Sequence, residues 1–197
     1  MSVIPPLTVD IGSGFLTGAA RIDSPNQDQR PPGAALDLIV IHGISLPPGE
    51  YGGAWVEALF TNTLPPERHP YFRSIDGLRV SAHLYIRRDG QIVQFVPFHA
   101  RAWHAGASVW QHRLACNDYS VGIELEGCDE EPYESAQYGA LLAVIDALER
   151  AYSSLRGAPI VGHSDIAPGR KTDPGPHFDW ERLRLRRLGL ATGRHAT

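Results

Sequence analysis

The amino-acid sequence predicts a single α/β domain, and three stretches carry that prediction. Leu38-Ile39-Val40-Ile41 is a continuous apolar run of strand length, the pattern of a central strand buried on both faces. Ser120-Val121-Gly122-Ile123-Glu124-Leu125-Glu126 alternates strictly, so Val121, Ile123 and Leu125 share one side of a strand while Glu124 and Glu126 share the other. Tyr138, Leu141, Leu142, Ile145 and Leu148 trace one helical face, which predicts a helix from about Ser135 to Tyr152 lying over the sheet. With 197 residues, 43% of them hydrophobic and 20% charged, the chain can bury a full core and is expected to form one domain over residues 1–197.

The remaining elements follow in order. Residues 1 to about 36 are loop-rich, with a short strand near Phe15 and a polar, proline-containing passage from Ser24 to Pro32. The apolar run 38–41 ends at His42, and a histidine at the carboxyl end of a buried strand stands where open α/β sheets collect ligands. Past the loop 45–50, the spacing of Trp55, Val56, Leu59 and Phe60 predicts a short amphipathic helix. Residues 80–86 and 91–96 flank Arg87-Arg88-Asp89-Gly90, where Asp-Gly between β-rich runs signals a hairpin. Pro159-Ile160-Val161 reads as a short strand. A last helix starts with Asp179 as N-cap and packs through Trp180, Leu183 and Leu185 or Leu188, before a short tail after about residue 190.

Composition excludes some classes of function. The net charge of -4 argues against nucleic acid as partner, because phosphate binding needs concentrated positive charge. The one basic run, residues 182–187, reads as the solvated face of the last helix. Cys116 and Cys128 match neither a disulfide framework nor a structural zinc site, which fits a reducing compartment. Met1-Ser2-Val3-Ile4-Pro5-Pro6 has no basic start or sustained apolar stretch, and no run has the length of a membrane span. A soluble, cytoplasmic, monomeric protein is expected.

Chemistry concentrates in residues 162–176, where three prolines and three glycines rule out a regular helix or strand and present His163, Asp165, Lys171 and Asp173 from a shaped loop. His42, His163 and Asp173 together offer two imidazoles and a carboxylate, which would leave a fourth zinc position open for water. Spacing leaves rivals: His83, His99 and His104 among the histidines, and Asp165 beside Asp173. His83 is expected to support the site or the core, and His104 lies in a small-residue loop of the kind that lines pockets, beside Trp103, an apolar platform for a sugar or peptide. Glu124 and Glu126 are both candidates for general base, and periodicity does not choose between them. Lys171 would place a cation where an oxyanion forms.

Several long motifs in register, from about Gly14 to Trp180, carry a resemblance. They include Leu38-Ile39-Val40-Ile41-His42, residues 45–53, Val80-Ser81-Ala82-His83, Arg101-Ala102-Trp103-His104-Ala105-Gly106, Asn117-Asp118-Tyr119-Ser120, Gly122-Ile123-Glu124-Leu125-Glu126-Gly127 and the segment 162–176. In these the chain resembles the AmpD family of cytoplasmic 1,6-anhydro-N-acetylmuramyl-L-alanine amidases. The resemblance implies a mixed central β-sheet flanked by α-helices, the fold shared with peptidoglycan recognition proteins and phage lysozyme-type amidases. It further implies zinc on His42, His163 and Asp173, Glu124 rather than Glu126 as catalytic carboxylate, and Lys171 as transition-state stabiliser. Trp103 and Arg79 match positions associated with the muropeptide, Arg79 being suited to a substrate carboxylate.

The implied reaction is zinc-dependent hydrolysis of the amide between the muramyl lactyl group and L-alanine of the stem peptide, which recycles wall fragments and lowers a muropeptide signal that induces β-lactamase. Two positions depart from the family pattern: Gly43 stands where an asparagine usually follows the first ligand, and Ala115 replaces an arginine. Two other classes share the implied fold. A non-catalytic muropeptide-binding module would lack a ligand, whereas all three are present; a wall-degrading amidase would need export or phage release, and only export is opposed by the absent leader.

Overall fold

Six strands form the central sheet in a computed structural model of the chain, which describes residues 6–187. In chain order they are β1 (Ala20–Arg21), β2 (Leu38–Ile44), β3 (Leu84–Ile86), β4 (Ile92–Gln94), β5 (Ser120–Glu126) and β6 (Ile160–Gly162). Their spatial order is β6-β2-β5-β3-β4-β1. The sheet is mixed: β2 runs parallel to β6 and β5, β5 parallel to β3 and β4 parallel to β1, whereas β3 and β4 form the antiparallel hairpin. Three short antiparallel ribbons stand outside it: Val9–Asp10 with Phe15–Leu16, Gln27–Gln29 with Ala100–Ala102, and Val109–Trp110 with Arg113–Leu114.

Alternation sorts the two long strands into a packing face and a site face. Ile39, Ile41, Val121, Ile123 and Leu125 pack under Tyr138, Leu141, Val144, Ile145 and Leu148 of the long helix Ser135–Ala151. Each such aliphatic side chain contributes about 1.5–3 kcal/mol on burial. A reciprocal capping box between Glu134 and Gln137 starts that helix. On the opposite face, Leu38 and Val40 join Val161, Cys116 and Ile166, while Tyr85 and Val93 pack with Leu59, Phe60 and Phe72 from the short helices Trp55–Phe60 and Pro70–Ser74. Period-two geometry puts His42 on the face of Leu38 and Val40, and Glu124 on the face of Gly122. The polar side chains thus emerge between two apolar clusters.

The structure corrects several expectations. His42 does not end its strand: Gly43 and Ile44 continue β2, in register with Leu125 and Glu126. The hairpin strands are shorter than 80–86 and 91–96 because flanking residues pair elsewhere, as in the 3.1 Å bond from the Ser81 N–H to the Trp103 carbonyl. Residues 162–176 are not wholly irregular, since His163–Ile166 form one helical turn. The last helix, Trp180–Arg187, is capped by Asp179 Oδ1, which accepts from the Arg182 N–H at 3.0 Å. Leu183 is buried, Trp180 meets Phe178 edge-on with ring centroids 4.6 Å apart, and Leu188 and the tail lie outside the described residues.

Candidate metal centre and active site

Three donor atoms from distant parts of the chain converge at the sheet's site face. His42 Nδ1 and His163 Nδ1 lie 2.9 Å apart, and Asp173 Oδ2 lies 3.3 Å from the first and 3.1 Å from the second. A tetrahedral ion with bonds of about 2.0–2.1 Å spaces its ligands by roughly 3.3 Å, close to this triangle. His163 Nε2 sits 3.2 Å from the Ala105 carbonyl, which only accepts, so Nε2 carries the proton and Nδ1 presents a lone pair to the cluster. Asp173 adds an anionic oxygen. Lone pairs converging this closely with an anion fit a cation, and these residues could hold a metal ion.

Backbone geometry fixes each donor. β2 carries His42; the helical turn that begins at His163 is opened by Asp165, whose Oδ2 accepts from the Gly162 N–H at 2.7 Å. That bond occupies Asp165 and separates it from Asp173. The loop returns so that the Asp173 carbonyl accepts from the Ser164 N–H at 3.0 Å, placing the two ligands side by side. Burial holds the His42 pKa down at about 4, against the nearby Asp173 carboxylate, which raises it. Burial would raise the Asp173 carboxyl, but the close approach of the His163 and His42 imidazoles to its Oδ2 outweighs it, and its pKa falls well below the usual range.

Glu124 is buried at 8% exposure, and its Oε2 has no hydrogen-bond partner. Burial, then the charge of Asp173, pushes its pKa well above the ordinary carboxylate value, with Lys171 opposing. Glu126 takes a different route. Its two oxygens accept from the Gly52 N–H at 2.5 Å and the Arg88 N–H at 3.0 Å, tying the strand end to the loop after β2 and to the β3–β4 turn. The surroundings therefore distinguish two carboxylates that alternation leaves equivalent.

A cleft of about 410 Å³ opens over the cluster and is lined by Glu124, His163, Lys171 and Asp173, with Leu46, Tyr71, Ile75 and Leu78 on its apolar wall. Trp103 and Arg79 are not among its lining residues. Arg79 lies exposed between Leu78 and Val80, which do line the cleft, and Trp103 is half-buried beside His104. The rival histidines are placed elsewhere or used otherwise. His83 Nδ1 accepts from the Gly122 N–H at 3.0 Å, His99 is exposed, and His104 touches His42 without joining the cluster.

Both departures from the family pattern have a structural setting. A side chain at Gly43 would overlap the hydroxyl of Tyr133, which instead donates to the Pro174 carbonyl at 2.9 Å, next to Asp173. Ala115 is exposed, in the left-handed region at φ 56°, and outside the cleft lining. Tyr133 is a site residue that sequence patterning misses, because nothing in its neighbourhood marks it as more than packing.

Fold and site together define an amidase-type hydrolase with a group of residues that could hold a metal ion, and the chain belongs to the N-acetylmuramoyl-L-alanine amidase family, whose model matches residues 32–176. It is 57% identical over 172 residues to the 1,6-anhydro-N-acetylmuramyl-L-alanine amidase AmpD of Escherichia coli (strain K12), covering 87% of this chain and 93% of that protein. A crystal structure of a selenomethionine derivative of AmpD superposes with a TM-score of 0.86 at 55% identity, over 90% of this chain and 97% of that one. AmpDh3 from Pseudomonas aeruginosa in complex with anhydromuramic pentapeptide matches with a TM-score of 0.60 at 29% identity, over 86% of this chain and 66% of that one. The enzyme is an N-acetylmuramoyl-L-alanine amidase.

Proposed function

We propose that the chain hydrolyses the amide between the lactyl carbonyl of 1,6-anhydro-N-acetylmuramic acid and the L-alanine of a stem peptide, acting on soluble muropeptides in the cytoplasm as a monomer. The substrate follows the name of the Escherichia coli relative and the ligand of the Pseudomonas structure. Two free cysteines fit a reducing compartment, and no described helix is long and apolar enough to cross a membrane. The observation that carries the mechanism is the unpartnered Glu124 Oε2, in the same cleft as His163 and Asp173 and on the residue paired with His42 across the neighbouring strand.

His42, His163 and Asp173 would hold Zn2+, which when bound polarises the scissile carbonyl and lowers the pKa of water. Glu124 takes the proton of the attacking water and returns it to the leaving amine of L-alanine. Its unusually basic carboxylate suits that task. Lys171, exposed at the cleft, sets its ammonium toward the oxyanion that develops on the lactyl carbonyl. The products are the lactyl carboxylate and the free amine of the stem peptide. Arg79 would bind a substrate carboxylate through its planar fork, and Trp103 would offer an apolar face to the sugar or peptide.

Purified protein incubated with anhydro-muropeptide and, separately, with intact peptidoglycan tests the proposal, with and without chelator. Rapid, chelator-sensitive release of stem peptide from the soluble substrate is the expected result. Cleavage confined to the polymer, or binding without turnover in added zinc, would overturn it.

A further inference from the structure

His104 takes no part in the reaction described above, yet it is buried and touches a candidate ligand. Its Nδ1 lies 2.9 Å from His42 Nε2, and its Nε2 lies 3.0 Å from Ser120 Oγ. Ser120 Oγ in turn lies 2.6 Å from the Cys116 carbonyl. A carbonyl only accepts, so the single hydroxyl proton of Ser120 is committed to Cys116, and Ser120 Oγ accepts from His104. The neutral His104 ring therefore carries its proton on Nε2 and presents a lone pair at Nδ1. The hydrogen between the two imidazoles then belongs to His42 Nε2, which leaves His42 Nδ1 as a lone pair facing His163 and Asp173.

The same segment orients the second imidazole. Ala105, the next residue, supplies the carbonyl that accepts from His163 Nε2 at 3.2 Å. Asn117 Oδ1 accepts from the N–H groups of both His104 and Ala105, at 3.1 and 2.8 Å, and clamps the two residues as a unit. Gly122 completes the arrangement: any Cβ there would overlap the His104 ring.

We propose that His104 is a positioning residue of the metal site, holding His42 as its Nε2–H tautomer through a directed chain that ends on the Cys116 carbonyl, while Asn117 fixes the segment serving both histidine ligands. The proposal rests on the reading that His42, His163 and Asp173 bind a metal ion. A partner that sets tautomer and ring orientation supports ligand basicity, and its loss costs about 10–100-fold in metal affinity. A histidine that merely fills space would tolerate an apolar replacement of similar bulk.

The test uses the full chain, with zinc affinity measured by chelator competition and the His42 tautomer read by 15N NMR on the metal-free protein. His104→Leu is expected to lose about 10–100-fold in zinc affinity. His104→Gln keeps an acceptor toward His42 and a donor toward Ser120 and should stay within about threefold of wild type. Ser120→Ala removes only a hydroxyl and should leave His42 as a tautomer mixture; it carries the test if His104→Leu does not fold. Wild-type zinc affinity in His104→Leu, or an unchanged His42 tautomer in Ser120→Ala, would overturn the proposal. Failure of the wild-type chain to bind zinc would overturn the underlying metal assignment instead.

Discussion

Glu124 stands opposite His42 in the register of two adjacent parallel strands, β5 and β2. The separation of the proposed base from the first ligand is thus set by backbone hydrogen bonds, which hold neighbouring strands about 4.8 Å apart. The helical turn after β6 and the loop beyond it supply the other ligands, but this pair is built into the sheet.

Glu124→Gln and Glu126→Gln should have opposite signatures. The first is expected to lose about 10²–10⁴ in kcat while keeping zinc. It should also stabilise the metal-free protein at neutral pH. The folded pKa of Glu124 lies above its unfolded value, so ionisation as pH rises through that window costs stability, and glutamine escapes the cost. Glu126→Gln should keep turnover and lose about 1–3 kcal/mol, because the carboxylate that accepts from Gly52 and Arg88 is gone. Thermal unfolding with and without zinc, alongside single-turnover kinetics, checks both; normal turnover in Glu124→Gln would refute the assignment of the base.

Lys171 should shift the pH profile as well as the rate. A base must be ionised, so activity falls as pH drops through the Glu124 pKa, and the Lys171 charge lowers that pKa. Lys171→Met should therefore move the acid limb of kcat/KM to higher pH, whereas Lys171→Arg should leave it near wild type. A limb that stays in place in the methionine variant would separate Lys171 from Glu124.

The contact between Gly43 and Tyr133 predicts a non-additive pair. Gly43→Ala drives a methyl into the Tyr133 hydroxyl and should cost about 1–3 kcal/mol. Tyr133→Phe removes the bond to the Pro174 carbonyl and should cost roughly 1 kcal/mol. With the hydroxyl gone, the next atoms around the added Cβ are Tyr133 Cζ at 3.4 Å and the Pro174 Cα at 3.6 Å, ordinary contacts. The double variant should therefore be more stable than Gly43→Ala alone, as denaturant unfolding of the four proteins would show.

Metal removal should destabilise the whole domain. At free zinc of 100 times Kd, binding adds about 2.7 kcal/mol, which for a domain of this size corresponds to roughly 5–10 °C in Tm. Chelator should remove that increment from the wild type and leave His163→Ala unchanged. Equal Tm values with and without chelator in the wild type would count against a bound metal.

Much of this architecture can be read from residues 38–41, 120–126 and 138–148, because one-sided burial imposes a period and periods are visible in a sequence. Polar residues on the site face break the pattern where the structure continues. The strand β2 runs on through His42 and Gly43, whose side-chain positions meet the donor cluster and the Tyr133 hydroxyl. Within residues 162–176, Asp165 and Asp173 are chemically alike, and only the turn that commits Asp165 to the Gly162 N–H separates them. The roles of Ser120, Asn117 and Tyr133 are invisible in one dimension for the same reason: each acts through a partner carbonyl or amide that is distant in sequence or carries no side-chain signal.

The converging donors come from a strand near the start of the domain and from both ends of a loop that closes it. Zinc fingers gather their ligands within a short peptide that can seize the ion before anything else has folded. This donor set is not local in that way, since His42 meets His163 and Asp173 where β6 pairs directly with β2, which joins segments about 120 residues apart. A metal ion held by these donors would therefore find a complete centre only in a chain whose β6 has paired with β2, and a chain lacking that pairing would have no complete donor set to offer it.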